Sequence, residues 1–233
     1  MGDLWLGAWI ASAVIGFGVL GLIIWSMVKY RRRSDDEVPR QTRYHVPLEV
    51  LYTLVPILIV GVLFYYTVIA QNGVLAQTAE KPLEVKVVAQ KWSWTFNYME
   101  EDNPEVGKVV HEVGTVDKIP DLVLPVNRTV RFDLVSADVI HSFWIPAFYF
   151  KMDVIPGHPN SFDVTPNKIG TFDGKCAELC GTYHAQMVFT VKVVSEADYE
   201  KYLKEQITAG KTGEIKAPDA ATHLPKRAPE EKP

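Results

Sequence analysis

Two stretches of this chain carry no charged side chain: residues 4–28 (LWLGAWIASAVIGFGVLGLIIWSMV) and residues 50–70 (VLYTLVPILIVGVLFYYTVIA). At about 1.5 Å per helical residue, either is long enough to cross a hydrocarbon core of about 30 Å. Backbone polar groups in lipid must be satisfied within the segment, so both read as transmembrane helices, with spans of about 4–28 and 47–70. The near-zero mean hydropathy of the whole chain is then an average over unlike parts. A wholly soluble protein and a large multispan channel are excluded. So are a disulfide-dense scaffold, given two cysteines in 233 residues, and a strongly basic nucleic-acid binder, given a net charge of −4.

The loop between the spans, residues 29–45, holds Lys29, Arg31, Arg32, Arg33, Arg40 and Arg43 against Asp35, Asp36 and Glu37. Positive charge beside short spans stays cytoplasmic, which puts the N-terminus and everything after Ala70 on the extracytoplasmic side of a cell or inner membrane. A signal peptide places its cations before a shorter apolar run. Here Asp3 precedes the run and the arginines follow, so the first span is expected to be a retained anchor. Trp5, Trp9, Trp25 and Tyr30 sit near its ends as interfacial aromatics do. Pro56 interrupts the second span, where Thr53 or a neighbouring helix is expected to satisfy the freed carbonyl. Glu49 stands at the cytoplasmic mouth of that span, where a carboxylate either snorkels to the interface or belongs to a proton path.

After a linker at 71–81 the periodicity changes to two. Leu83, Val85 and Val87 alternate with Glu84 and Lys86; Val130, Phe132 and Leu134 with Arg131 and Asp133; Phe189, Val191 and Val193 with Thr190 and Lys192. With Pro and Gly punctuation between them, such half-buried strands over 82–194 predict an all-β antiparallel sandwich or barrel. Ser195 opens a capped helical pattern in the last segment, 195–233. Beyond Gly210 the chain has four prolines, no aromatic residue and many charges, and is expected to be disordered alone or ordered only against a partner. Residues 71–233 carry 18 Lys and Arg against 23 Asp and Glu, a mildly acidic exported part that weakly favours a basic partner.

Both cysteines fall in one stretch, Cys176-Ala177-Glu178-Leu179-Cys180-Gly181-Thr182-Tyr183-His184-Ala185-Gln186-Met187, a C-x-E-x-C-x3-H-x2-M pattern. His141 lies 35 residues earlier in Asp138-Val139-Ile140-His141-Ser142-Phe143-Trp144. Two thiols, two imidazoles and a thioether form a donor set that selects copper or zinc over magnesium or calcium. Three readings compete. A structural disulfide leaves His184 and Met187 unexplained and closes too small a loop to stabilise much. A closed Cys2His2 zinc site has no use for Met187. Copper held by thiolates on a β-sandwich uses every residue, and two facing cysteines can bridge two copper ions with one histidine terminal on each.

These residues resemble subunit II of the haem-copper cytochrome c oxidases. The resemblance rests on the C-x-E-x-C-x3-H-x2-M stretch, the upstream His141-Ser142-Phe143-Trp144, and the aromatic run Trp92-Ser93-Trp94-Thr95-Phe96-Asn97-Tyr98, and it covers nearly the whole chain. It implies a transmembrane hairpin followed by a cupredoxin-like Greek-key sandwich carrying the dinuclear copper centre CuA. Cys176 and Cys180 are then the bridging ligands, His141 and His184 the terminal ones, and Met187 the weak thioether. Glu178 offers its backbone carbonyl to one copper and its carboxylate to a magnesium ion shared with subunit I. Trp92 occupies the position where electrons arrive from cytochrome c, exposed above the copper site, and Glu49 the mouth of a proton channel into subunit I. The implied partners are subunit I, which holds the haem, further oxidase subunits, a cytochrome c that is soluble, anchored or part of a neighbouring complex, and the lipid membrane, with no nucleic acid.

Ala137 stands where the family often has an acidic residue, and His158 where arginine is frequent, so the docking contacts differ in detail. Asp133, Asp138, Asp153 and Glu100-Glu101-Asp102 are candidates for docking, each equally readable as a solvated acidic face. Two other functions share the architecture: a quinol oxidase subunit II, which typically lacks the copper ligands, and a membrane-anchored copper carrier acting alone.

Overall fold

The computed structural model describes residues 2–38, 41–77 and 81–217. The chain forms two compact units, Met1–Val74 and Leu75–Pro233.

The first unit is a helical hairpin. Helix α1 (Gly2–Lys29) carries Asp3 in its first turn and Lys29 in its last, each charge complementing the helix dipole. Helix α2 (Val46–Leu75) follows the basic loop. Both are long and apolar enough to span a membrane, and neither buries a residue within the chain, as expected of helices solvated by lipid and partner helices. Asp3, Gly7 and Ala11 of α1 share a crevice with Leu58, Val62, Tyr66 and Ala70 of α2, which makes the pair antiparallel. The second helix outlasts its apolar run, continuing through Gln71, Asn72 and Gly73, so the expected linker starts only after Leu75. Intrahelical hydrogen bonding does not stop where the hydrocarbon does. Thr53 also departs from expectation. Its hydroxyl donates to the carbonyl of Glu49 (2.8 Å), not to that of Tyr52, which Pro56 frees.

The second unit is a sandwich of two five-stranded sheets. One is ordered β3 (Lys108–Val113), β2 (Ser93–Glu100), β1 (Leu83–Gln90), β5 (Val130–Ser136), β8 (Asn160–Val164). The other is ordered β4 (Asp121–Pro125), β10 (Val188–Val194), β9 (Gly170–Cys176), β6 (His141–Ile145), β7 (Phe150–Val154). Leu83, Val85, Val87, Val130, Phe132, Leu134, Phe189, Val191 and Val193 all point into the core, as their alternation predicts. The pairing is not wholly antiparallel: β1 runs parallel to β5, and β4 to β10. Alternation in sequence sets which face is buried, whereas partner direction is set by chain crossovers between the sheets, which no local pattern encodes.

The core is aromatic. Phe143 and Phe189 stack at 4.9 Å and 7°, and Trp94 packs edge-on against both. Gly174 lies opposite Phe189 in the β9–β10 ladder, and a Cβ there would stand 2.1 Å from the phenyl ring. Helix α3 (Glu196–Thr208) begins at Ser195, whose hydroxyl accepts from Asp198 N–H (3.2 Å), and it buries Tyr199 and Leu203 against the sandwich.

The expectation of an unstructured chain after Gly210 does not hold for residues 211–217. Lys211–Gly213 pair with the free edge of β3: Thr212 bridges to Val110, and Gly213 N–H donates to the Val109 carbonyl. Asn97, fully buried on β2, exchanges two hydrogen bonds with the backbone of Ile215, and Lys86 pairs with Glu214. A buried amide on one strand and an edge in need of cover give this short segment its partners. Residues 218–233, with Pro218, His223, Pro225, Pro229 and Pro233, lie outside the described residues.

Candidate metal centre

Three neighbouring strands of the second sheet build the site. Strand β9 ends at Cys176 and β10 begins at Val188, so the intervening stretch is a hairpin loop whose neck is closed by Cys176 N–H donating to the Met187 carbonyl (2.9 Å). A single 3-10 turn, His184–Gln186, folds the far half of the loop back. Strand β6 lies beside β9 and starts at His141, which delivers the fifth ring or sulfur donor from outside the loop.

The donors converge. Cys176 Sγ lies 3.9 Å from Cys180 Sγ and 3.9 Å from His141 Nδ1. Cys180 Sγ lies 3.6 Å from His184 Nδ1 and 3.6 Å from Met187 Sδ. The Glu178 backbone carbonyl is 3.2 Å from Cys176 Sγ. Both cysteines are free thiols, and ligand atoms of His141, Cys176 and Cys180 all lie within 4.8 Å of one another. His141 and Met187 are fully buried and the cysteines nearly so. Two thiols, two imidazole nitrogens, a thioether and a carbonyl packed together suit copper, and the thioether's place inside the cluster is what a closed zinc site does not require.

The thiols do not titrate alike. The hydrogen bond with Cys180, aided by His141 against the opposing effect of burial, pulls Cys176 well below a normal thiol. The same contact with Cys176, reinforced by burial, pushes Cys180 far above a normal thiol.

Asp138 supplies a part that the sequence reading missed. Its Oδ1 accepts from His141 Nε2 (2.8 Å) and from Val139 N–H (2.6 Å), and its Oδ2 accepts from Lys91 N–H (2.7 Å). Burial alone would raise this carboxyl, but those three donors hold it below the ordinary carboxylate range. With Nε2–H committed to Asp138, Nδ1 is the ring nitrogen that faces the sulfurs and is left to ligate a metal. Burial acts to lower the His141 pKa, and the contacts with Asp138 and Cys176 outweigh it and raise it. The Asp-x-x-His spacing was the available signal. Sequence alone equally allows Asp138 as one more acidic docking candidate.

Trp92 sits in the turn between β1 and β2, half-buried, less open than the exposed position the resemblance implies. Its indole N–H donates to the carbonyl of Cys180 (3.2 Å). Trp94 is core, and its indole N–H reaches the Met187 carbonyl (3.4 Å). Glu178 exposes its carboxylate, which has no ion-pair partner among the described residues. Glu49 belongs to the helical unit and closes the start of α2: its carboxylate accepts from His45 N–H (2.9 Å), while His45 Nδ1 accepts from Leu48 N–H (3.2 Å).

The acidic docking candidates separate. Glu100-Glu101-Asp102 lies at the opposite end of β2 from Trp92, about 26 Å along an eight-residue strand. Glu100 is also buried and bonded to Tyr199 and Arg128. Asp133 faces Lys86 in mid-sheet, and Asp138 is spent on the site. Only Asp153, exposed on β7 and opposite Ser142, keeps a free carboxylate near His141.

Comparison with known proteins adds a family. A family model described as "Cytochrome C oxidase subunit II, periplasmic domain" matches residues 83–194. The chain is 45% identical over 252 residues to the "Probable cytochrome c oxidase subunit 2" of Streptomyces coelicolor, covering 94% of this chain and 79% of that one. It is 37% identical over 262 residues to cytochrome c oxidase subunit 2 of Mycobacterium tuberculosis, covering 90% and 72% respectively. Among solved structures, the periplasmic domain of subunit II of cytochrome oxidase (CoxB) of Bradyrhizobium japonicum aligns with a TM-score of 0.48 at 30% identity, over 56% of this chain and 97% of that one.

Proposed function

The chain belongs to the cytochrome c oxidase subunit II family, part of an oxidoreductase complex, and from that premise we propose that it is the electron-accepting subunit of a respiratory oxidase. Electrons from a cytochrome c would arrive at Trp92, and the cluster beneath it would hold two copper ions as CuA. The electrons would be destined for haem in subunit I, where oxygen is reduced to water with translocation of protons. The observation that carries this reading is the convergence of His141, Cys176, Cys180, His184 and Met187 in one buried cluster reached by the Trp92 indole through the Cys180 carbonyl.

A copper pair sharing two thiolates supplies a one-electron store whose charge is spread over both metals, so little rearrangement accompanies its reduction. The chain's own residues do the rest. Cys176 and Cys180 would hold the coppers through their sulfurs, with His141, His184, the Met187 thioether and the Glu178 carbonyl as the other ligands. Asp138 orients His141 and stabilises its ligating tautomer. Trp94 and Met187 close the inner wall against water. The free carboxylate of Glu178 is suited to a magnesium ion at the junction with subunit I, since hard oxygen ligands are what that ion takes. Glu49 serves the mouth of a proton channel, and its bond to His45 fixes where that carboxylate sits on α2. The basic loop between the helices faces the cytoplasm, and the sandwich the opposite side.

Metal analysis of the full chain, purified anaerobically in detergent, tests the reading. Two coppers per chain are expected, with electron paramagnetic resonance hyperfine structure shared over two nuclei. One zinc and no copper, or oxidation of quinol but not cytochrome c by the intact complex, would overturn it.

A further inference from the structure

Trp92 does not meet the solvent alone. The ring of Tyr183 packs edge-on against it, centroids 4.9 Å apart at 86°. Tyr183 is the more open of the two, at 40% exposure. It stands in the ligand loop, immediately before His184, and its hydroxyl has no hydrogen-bond partner among the described residues. On the loop side the indole N–H is bonded to the Cys180 carbonyl. A third contact comes from Gly181, whose φ of +121° and bare Cα let the indole lie on the loop. A Cβ there would stand 3.1 Å from the indole nitrogen. Residues 180, 181 and 183 therefore grip one side chain that belongs to another part of the fold.

We propose that Tyr183 is a positioning residue for electron uptake: its ring holds Trp92 in hydrogen-bond contact with Cys180. This rests on Trp92 being where electrons arrive. Electronic coupling falls steeply with the width of a through-space gap, so an indole clamped to the backbone of a ligating residue is a better conductor than one free to swing outward. An aromatic pair of this geometry biases the clamped rotamer by a factor of about 2 to 10. The alternative is that Tyr183 merely covers a surface hollow. In that case its loss leaves the conduction path as it was.

The test uses Tyr183→Phe, Tyr183→Leu, Trp92→Phe and the double variant Trp92→Phe/Tyr183→Leu. In the assembled oxidase, Tyr183→Leu is expected to slow single-turnover electron uptake from reduced cytochrome c about 2- to 10-fold. It should lower kcat at unchanged KM and leave the copper resonance intact. Tyr183→Phe should behave as the parent, and Tyr183→Leu should add nothing in the Trp92→Phe background. In the metal-free full chain carrying 5-fluorotryptophan, the Trp92 fluorine signal, assigned by its loss in Trp92→Phe, should broaden and gain a solvent isotope shift in Tyr183→Leu. An unchanged uptake rate, an effect on KM alone, an equal effect in both Trp92 backgrounds, or loss of the copper resonance in Tyr183→Leu would each overturn the proposal. If Trp92→Phe itself leaves uptake unchanged, the reading of Trp92 fails, and the fluorine signal still reports whether Tyr183 holds the indole.

Discussion

Replacing Asp138 with asparagine removes one charge and almost no volume, yet the geometry leaves the amide no good orientation. The carboxylate has two accepting oxygens in use: one serves Val139 N–H and His141 Nε2, the other Lys91 N–H. An amide has one acceptor and one NH2 donor. Keeping its oxygen toward His141 sets the NH2 against Lys91 N–H, and flipping it sets the NH2 against both Val139 N–H and the imidazole. The first orientation loses less, so it is the one expected. It forfeits one charge-assisted bond and leaves a backbone donor facing another donor, which costs about 1.5–3 kcal/mol. The two remaining bonds also lose their charge. Because Lys91 precedes Trp92, the turn carrying the indole loosens as well. For the metal, removal of an outer-shell partner of a ligating histidine weakens binding about 10- to 100-fold. Competition with a copper chelator measures the affinity of the full chain, and denaturant unfolding of the metal-free chain measures stability. Asp138→Ala should be worse on both, since it leaves the fully buried His141 without any acceptor. An Asp138→Asn chain with copper affinity within twofold of the parent and unfolding within about 0.5 kcal/mol would refute this account of how His141 is held.

Cys176→Ser or Cys180→Ser should abolish the dinuclear copper signal, whereas Met187→Leu should keep two coppers and shift their potential; equal copper loss in all three would contradict the weak-donor role of the thioether. Glu49→Gln should slow proton uptake by the assembled oxidase with the copper resonance untouched, and normal turnover would leave Glu49 only its capping bond to His45. Burial acts to raise Glu112, but its bonds to Lys118 and Lys211 outweigh that and hold it below the usual carboxylate range. Its contribution is therefore present above the unfolded-state value of about 4.3 and is lost as pH falls through the lower folded value. Glu112→Gln should flatten that acid limb, destabilise at neutral pH by about 1–2 kcal/mol, and make the 211–217 segment accessible to protease, with limited proteolysis and pH-dependent unfolding as the measurements.

The parts of this molecule that could be read before folding are those whose cause is local. An uncharged run long enough to cross lipid announces a helix whatever surrounds it. Alternation at Val130, Phe132 and Leu134 announces a half-buried strand, and the soft donors between Cys176 and Met187 lie on one short loop. What escaped depends on the chain meeting itself at a distance. Asp138 is three residues from His141 in sequence, but its value comes equally from Lys91, which only the turn between β1 and β2 brings near. Residues 211–217 are featureless in sequence because their partners, Asn97 and the β3 edge, lie over a hundred positions away, with 118 positions separating Asn97 from Ile215. The parallel pairing of β1 with β5 escaped for the same reason. Polar residues let α2 run on to Leu75 because helix termination needs a breaker, not merely an end to apolarity.

The neck of the ligand loop separates inheritance of shape from inheritance of chemistry. Five of the six donor residues lie on a stretch whose two ends are pinned by one main-chain bond between adjacent strands. The aromatic packing of Phe143, Phe189 and Trp94 that holds the sheets together comes from strands β6, β10 and β2, not from the loop. A lineage could therefore lose its cysteines, or lengthen the loop past usefulness, while the sandwich kept its outline. Similarity of fold within such a lineage is no witness to metal content; the letters between those two strands, with the histidine at the start of β6, are.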